Sequence, residues 1–149
     1  MSLPINMIEI VSELPSRSRG KACIVLTHDY IGQKEWSSEL ANQTNSIHLN
    51  LLEYFDKNAE LSSKIDQFLV PNFFDFVKRH NEAPVLVISG IEFLIASWSG
   101  LPNAMTEFLE QIKTLSKQPS LLVVMQFDKT IANYNFGRRF SNQYVIDQK

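Results

Sequence analysis

Four short apolar runs, each followed by a stretch of helical periodicity, constrain this chain more than any other feature. They are ACIVLT (Ala22 to Thr27), IHLNLLE from Ile47, APVLVIS (Ala83 to Ser89) and LLVVMQF (Leu121 to Phe127). The first, third and fourth are continuous rather than alternating, and β-branched side chains are frequent in them. That is the pattern of strands covered on both faces. The second alternates Ile47, Leu49 and Leu51 against His48, Asn50 and Leu52, as a less deeply covered strand does. NQYVID near the C-terminus reads as a short fifth strand.

The intervening segments carry helical spacing. Ile5, Ile8, Val11 and Leu14 predict a leading helix, and Trp36 and Leu40 mark one over Gln33 to Gln43. Leu61, Ile65, Phe68 and Leu69 predict a helix near residues 56 to 70. Pro71 then suits the first turn of another, with Phe73, Phe74 and Val77 inward and Phe76 off that face as an exposed contact. Met105, Phe108, Leu109, Ile112 and Leu115 form the apolar face of a last helix, with Asn103 at its N-cap, while Ser97-Trp98-Ser99-Gly100 reads as a turn. Strands alternating with helices imply an α/β fold in three layers, built on a mainly parallel five-stranded sheet. At 149 residues the chain is expected to form a single domain, residues 1–149.

The bulk numbers bound the partners. A net charge of −2 with 44% apolar and 20% charged residues argues against general affinity for nucleic acid or anionic membrane, so a basic site must be local. Apolar stretches shorter than about ten residues fall well below the roughly 20 needed to span a bilayer. Cys23 is the only cysteine. It lies inside the first apolar run, where a small buried side chain is expected, and with no signal-like N-terminus the expected location is the cytoplasm.

In a sheet of this kind ligands sit beyond the carboxyl ends of the strands. After the first strand the chain has THDYIGQK, which overlays the phosphate loop G-x-x-x-x-G-K-[ST] with three substitutions of consequence. Thr27 stands for the first Gly, Gly32 is retained, Gln33 replaces the Lys, and Lys34 replaces the Ser or Thr. Asp29 adds a carboxylate where phosphate charge would be. At about 4 Å and an effective dielectric near 20 this opposes binding by on the order of 4 kcal/mol. Lys34 would serve as the missing cation only if its side chain turned back by about 100°; the bland alternative makes Gln33, Lys34 and Glu35 an ordinary solvated first turn.

The third strand leads into SGIE. Ser89 stands at the position of a magnesium-associated Asp, and Glu92 at that of a carboxylate that would orient water. Glu92 is therefore the candidate catalytic residue, against a role in capping or at the surface. Thr27, Gly32, Gln33, Lys34 and Ser89 are the candidate nucleotide ligands, with ATP and magnesium as the cofactors the fold would take. Arg17, Arg19 and Lys21 before the first strand, with Arg138 and Arg139 before the fifth, would share one edge of a 5-1-4-3-2 sheet. They would form a phosphate, DNA or partner patch, or a plain solvated rim. His28, His48 and His80 lack metal-ligand spacing with Cys23, so no metal site is expected.

The order of these elements resembles the small P-loop protein of type 3 BREX phage-defence systems, roughly over residues 15 to 147. The elements concerned are the strand with its P-loop position, IHLNL, the Pro-started helix after VP, PVLVISGIEFL, and a helix before LLVVMQF. The resemblance implies a RecA-like P-loop NTPase fold in a bacterial cytoplasmic accessory protein, working in a larger complex or as a homo-oligomer beside a helicase or ATPase and a DNA methyltransferase. Thr27, Gln33 and Ser89 depart from the family pattern. Those departures point away from nucleotide hydrolysis.

Overall fold

Residues 5–28, 31–134 and 144–148 are described by a computed structural model of the chain. Five strands form one parallel sheet: β1 (Ala22–Thr27), β2 (Ile47–Asn50), β3 (Val85–Ser89), β4 (Ser120–Gln126) and β5 (Val145–Gln148), in the order β2-β3-β4-β1-β5. Read from the other edge this is 5-1-4-3-2, the expected order. The helices are α1 (Ile5–Glu13), α2 (Gln33–Gln43), α3 (Leu51–Asp56), α4 (Ala59–Ser62), α5 (Val70–Arg79), α6 (Glu92–Ser99), α7 (Ala104–Thr114) and α8 (Lys129–Ala132).

Alternate residues of the central strands feed two separate cores. Ala22, Ile24 and Leu26 of β1 join Leu121, Val123 and Met125 of β4 under α5, α6 and α7. Cys23 and Val25 join Leu122 and Val124 under α1 and α2, where Met7, Val11, Trp36 and Leu40 complete the second layer. Because every residue of β1 is buried, no polar alternation was available to it, which explains its continuous apolar run. Burial pushes the Cys23 thiol up to about 12.

Several expectations give way to tertiary packing. The second strand ends at Asn50 instead of continuing to Glu53, because the Asn50 side chain accepts the Glu53 N–H at 3.0 Å and starts α3 at once. Leu51 and Phe55, four apart, are then buried together. The helix expected near 56–70 is broken into α4 and a 3-10 turn over Ile65–Gln67, since Asn58 caps its own short helix by accepting from Leu61 N–H. Phe76 is buried instead of exposed, 4% accessible, packed edge-on against Tyr54 at 5.2 Å. Asn103 does stand at the start of α7, but in a left-handed conformation with no side-chain capping bond.

The largest reversal is at Ser97-Trp98-Ser99-Gly100. These residues close α6 instead of forming an open turn, and Gly100 is its C-cap. Trp98 is fully buried between Phe73 and Phe108, and its indole N–H donates to the Phe68 carbonyl at 2.9 Å. One side chain thus fills the core and satisfies a backbone acceptor outside the helices. We predict that Trp98→Ala costs about 3–5 kcal/mol of unfolding free energy in urea titration; a loss under about 1 kcal/mol would contradict this packing.

Candidate functional site

The carboxyl ends of β1, β4 and β3 lie side by side, and α2 begins over them with Gly32 as its N-cap. Gln33 is the first residue of the helix and is 2% exposed. Its side-chain oxygen accepts the Gly90 N–H at 3.1 Å, and its Nε2 donates to Glu92 Oε2 at 2.8 Å. The same carboxylate oxygen accepts the Gln126 N–H at the end of β4 at 2.7 Å. One amide therefore joins the first turn of α2 to the tips of β3 and β4. The expectation of a solvated first turn fails at Gln33, because a neutral amide with both a donor and an acceptor can be buried where its two partners are complementary. Glu35 is exposed as expected, and Ser37 one turn on donates to the Gln33 carbonyl at 2.7 Å.

Glu92 is half-buried and is engaged by Gln33 and Gln126, while its Oε1 is buried without a protein partner. It neither faces solvent nor caps its own helix. Thr27 is buried as well, and its hydroxyl donates to the Met125 carbonyl at 3.2 Å. The threonine at the first-Gly position thus ties β1 to β4.

Ser89 belongs to a second network. It pairs with Asn50 in the β2–β3 register, and Asn50 Nδ2 donates to Ser89 Oγ at 3.0 Å. Asn50 is oriented unambiguously, since its oxygen is already held by Glu53 N–H. Ser89 Oγ also lies 2.7 Å from His48 Nε2. Ser89 Oγ thus accepts from Asn50 and shares a second hydrogen bond with the imidazole. Gly90 makes this approach possible: it adopts a φ of +69°, and a Cβ there would stand 2.8 Å from Asn50 Oδ1.

Lys34 forms an ion pair with Glu53 in α3. That hydrogen bond raises the Lys34 pKa and lowers that of Glu53. Both side chains are about half exposed, so the pair contributes little to stability. It does, however, direct the ammonium toward α3. His28 stacks on Phe127 with ring centroids 4.8 Å apart and lies 2.7 Å from Asp147 Oδ1, which joins the loop after β1 to β5. Asp29 falls outside the described residues.

Two cations of the expected basic edge have partners within the chain. Arg17 is ion-paired with Glu13 at 2.6 Å and donates to the Gly20 carbonyl at 3.1 Å, while Lys21 donates to the Pro15 carbonyl at 2.9 Å. These cations hold the approach to β1 in place. Arg19 is exposed, and Arg138 and Arg139 lie outside the described residues. Among the described residues no group of three His, Cys, Asp or Glu side chains is placed to hold a metal ion, and no helix is long and apolar enough to cross a membrane.

The positions Thr27, Gly32, Gln33, Ser89 and Glu92 are thus gathered at one end of the sheet. Gln126, at the carboxyl end of the fourth strand where ligands were expected, is joined to Glu92, whereas His48 and Asn50 are residues that sequence reasoning missed. Only the neighbouring of β2 and β3 brings those two in, and a polar residue in an alternating strand was their one visible sign.

No family model matches the chain, and no curated protein matches it. Among solved structures, that of PCH-2 from C. elegans is similar with a TM-score of 0.49 at 12% identity, over 95% of this chain and 40% of that one. The chain therefore spans well under half the length of that protein.

Two measurements probe these networks. Gln33→Leu leaves the Gly90 N–H and one Glu92 bond unmade, and we predict a loss of about 2 kcal/mol or more in chemical denaturation. Burial, with the Lys34 charge second, lowers the His48 pKa from 6.5, against a smaller opposing effect of Glu53. The unfolded chain then binds the proton more readily than the folded one. The stability His48 contributes is complete above about pH 6.5 and declines as pH falls through the lower folded value. Wild type should therefore lose stability between about pH 7.5 and 5.5 more steeply than His48→Gln; parallel curves would exclude the effect.

Proposed function

We propose that this chain is a degenerate, RecA-like P-loop domain that acts as a non-hydrolysing accessory or regulatory subunit, binding nucleotide weakly or not at all. The observation that carries this reading is Gln33. At the position where a phosphate-binding lysine would stand, a buried amide is bonded to Gly90 and Glu92. A lysine acts there as a point charge reaching two phosphates. Gln33 supplies no charge, and its donor is already committed to the carboxylate that would otherwise orient water.

The remaining positions support the same conclusion. Ser89 cannot offer the anionic ligand that holds magnesium in such sites, and its hydroxyl is shared between Asn50 and His48. Lys34, the only rescue available within the loop, is paired with Glu53. Gln33, Ser89 and Lys34 are each engaged by another group of the protein. A fold that has lost its site residues retains its surfaces for partners.

The setting we infer is a bacterial, cytoplasmic phage-defence or other DNA-associated assembly, in which the single domain joins a larger complex or its own copies. The resemblance to the small protein of type 3 BREX systems supports that setting.

The test is thermal unfolding of the full chain with about 5 mM Mg-ATP. A site with a Kd near 50 µM would add about 2.7 kcal/mol, or roughly 5–10 °C for a chain of this length. We expect a shift below about 1 °C. A rise of several degrees that Lys34→Ala abolishes would establish an altered but working phosphate loop and overturn the proposal.

A further inference from the structure

A second region of the molecule has the makings of a binding site and is independent of the strand tips. α3, α4 and the last turn of α5 enclose a cleft of about 360 Å³. That volume lies at the low end of the range of small-ligand pockets. The cleft beside Glu92 and Phe127, at about 240 Å³, falls below it.

Its interior is aromatic. Phe68 and Phe76 are buried and packed edge-to-face at 6.2 Å, and Tyr54 meets Phe76 in the same manner at 5.2 Å. His80 lies against Phe76 at 4.3 Å and is fixed there by a 2.8 Å contact between Nδ1 and the Phe76 carbonyl. That contact leaves Nε2 as the unengaged ring nitrogen. Such rings, each locked by its neighbours, present a rigid surface to a planar ligand with little ordering cost.

The rim is polar and of both charges. Arg79 is exposed and makes no ion pair among the described residues, and the same holds for Glu60 on the opposite element, α4. Asn58 caps α4 through its oxygen, which leaves its amide N–H groups at the cleft. A guanidinium takes an anion through charge-assisted bonds, whereas a carboxylate requires a donor. An anion alone would be opposed by Glu60, and a cation alone by Arg79.

We propose that this cleft binds a small molecule in which a planar aromatic ring joins an anionic group to a hydrogen-bond donor. The ring packs on Tyr54 and His80, with the edges of Phe68 and Phe76 at the floor of the cleft, the anion meets Arg79, and the donor meets Glu60. Two sources share this chemistry: a nucleoside monophosphate, and a free aromatic amino acid. Binding of the former here would be separate from the strand-tip site and requires no phosphate loop.

The experiment is calorimetric titration of the full chain with adenosine monophosphate and, separately, with L-tryptophan. We expect saturable binding of one of them with a Kd below about 1 mM. Arg79→Gln and Glu60→Gln, both on exposed side chains, should each weaken it about tenfold or more with the melting temperature unchanged. Lys117→Gln, an exposed cation elsewhere, should leave it unaltered. The ligand that binds identifies the source. Failure of both probes to saturate by about 5 mM, or equal binding by wild type and Arg79→Gln, would overturn the proposal.

Discussion

The central strands of this sheet are covered on both faces, and the rest of the structure follows from that. A strand buried on two sides cannot use side-chain polarity to choose a face, so its register is fixed by neighbours and by the helices that seal it. β1 divides its residues between a large aromatic core under α5 to α7 and a smaller one under α1 and α2. Polar groups are thereby driven to the strand ends. There they must satisfy one another, and the networks around Gln33 and Ser89 are the outcome.

Those networks tie the strand ends to one another. Gln33 connects helix, β3 and β4 through a single amide, and Thr27 adds a bond from β1 to β4. In the low-dielectric end of the sheet such bonds are costly to leave unmade and therefore hold the local geometry firmly. The neutral amide meets Gly90 and Glu92 by hydrogen bonds alone, while Glu92 Oε1 is left without a protein partner. The bonds that are made run to Gly90, Glu92 and Gln126, all belonging to this chain.

What was readable in advance divides along physical lines. The strands β1, β3 and β4 were visible because long apolar runs have few other uses in a chain of this composition. The breaks at Asn50 and Asn58 were not, because a side-chain cap competes with strand or helix continuation locally, and periodicity does not register it. Phe76 and Trp98 were misread for a common reason. Each takes its buried place from a partner remote in sequence, Tyr54 for the one and Phe68 for the other. The intramolecular acceptors of Arg17 and Lys21 were not readable either, because they depend on how the chain approaches β1.

By itself the sequence determined the alternation of strands and helices, the parallel sheet, and the positions at which a phosphate site would stand. It also determined the residue types at those positions, since residue identity is local information. Only the tertiary structure decided what the replacements do: whether Gln33 faces water or seals the strand tips, whether Lys34 points to the loop or to Glu53, and whether His48 meets Ser89. Each of those outcomes depends on groups between 19 and 59 residues apart. Burial and hydrogen-bond complementarity are properties of the assembled neighbours, and no single segment of the chain contains them.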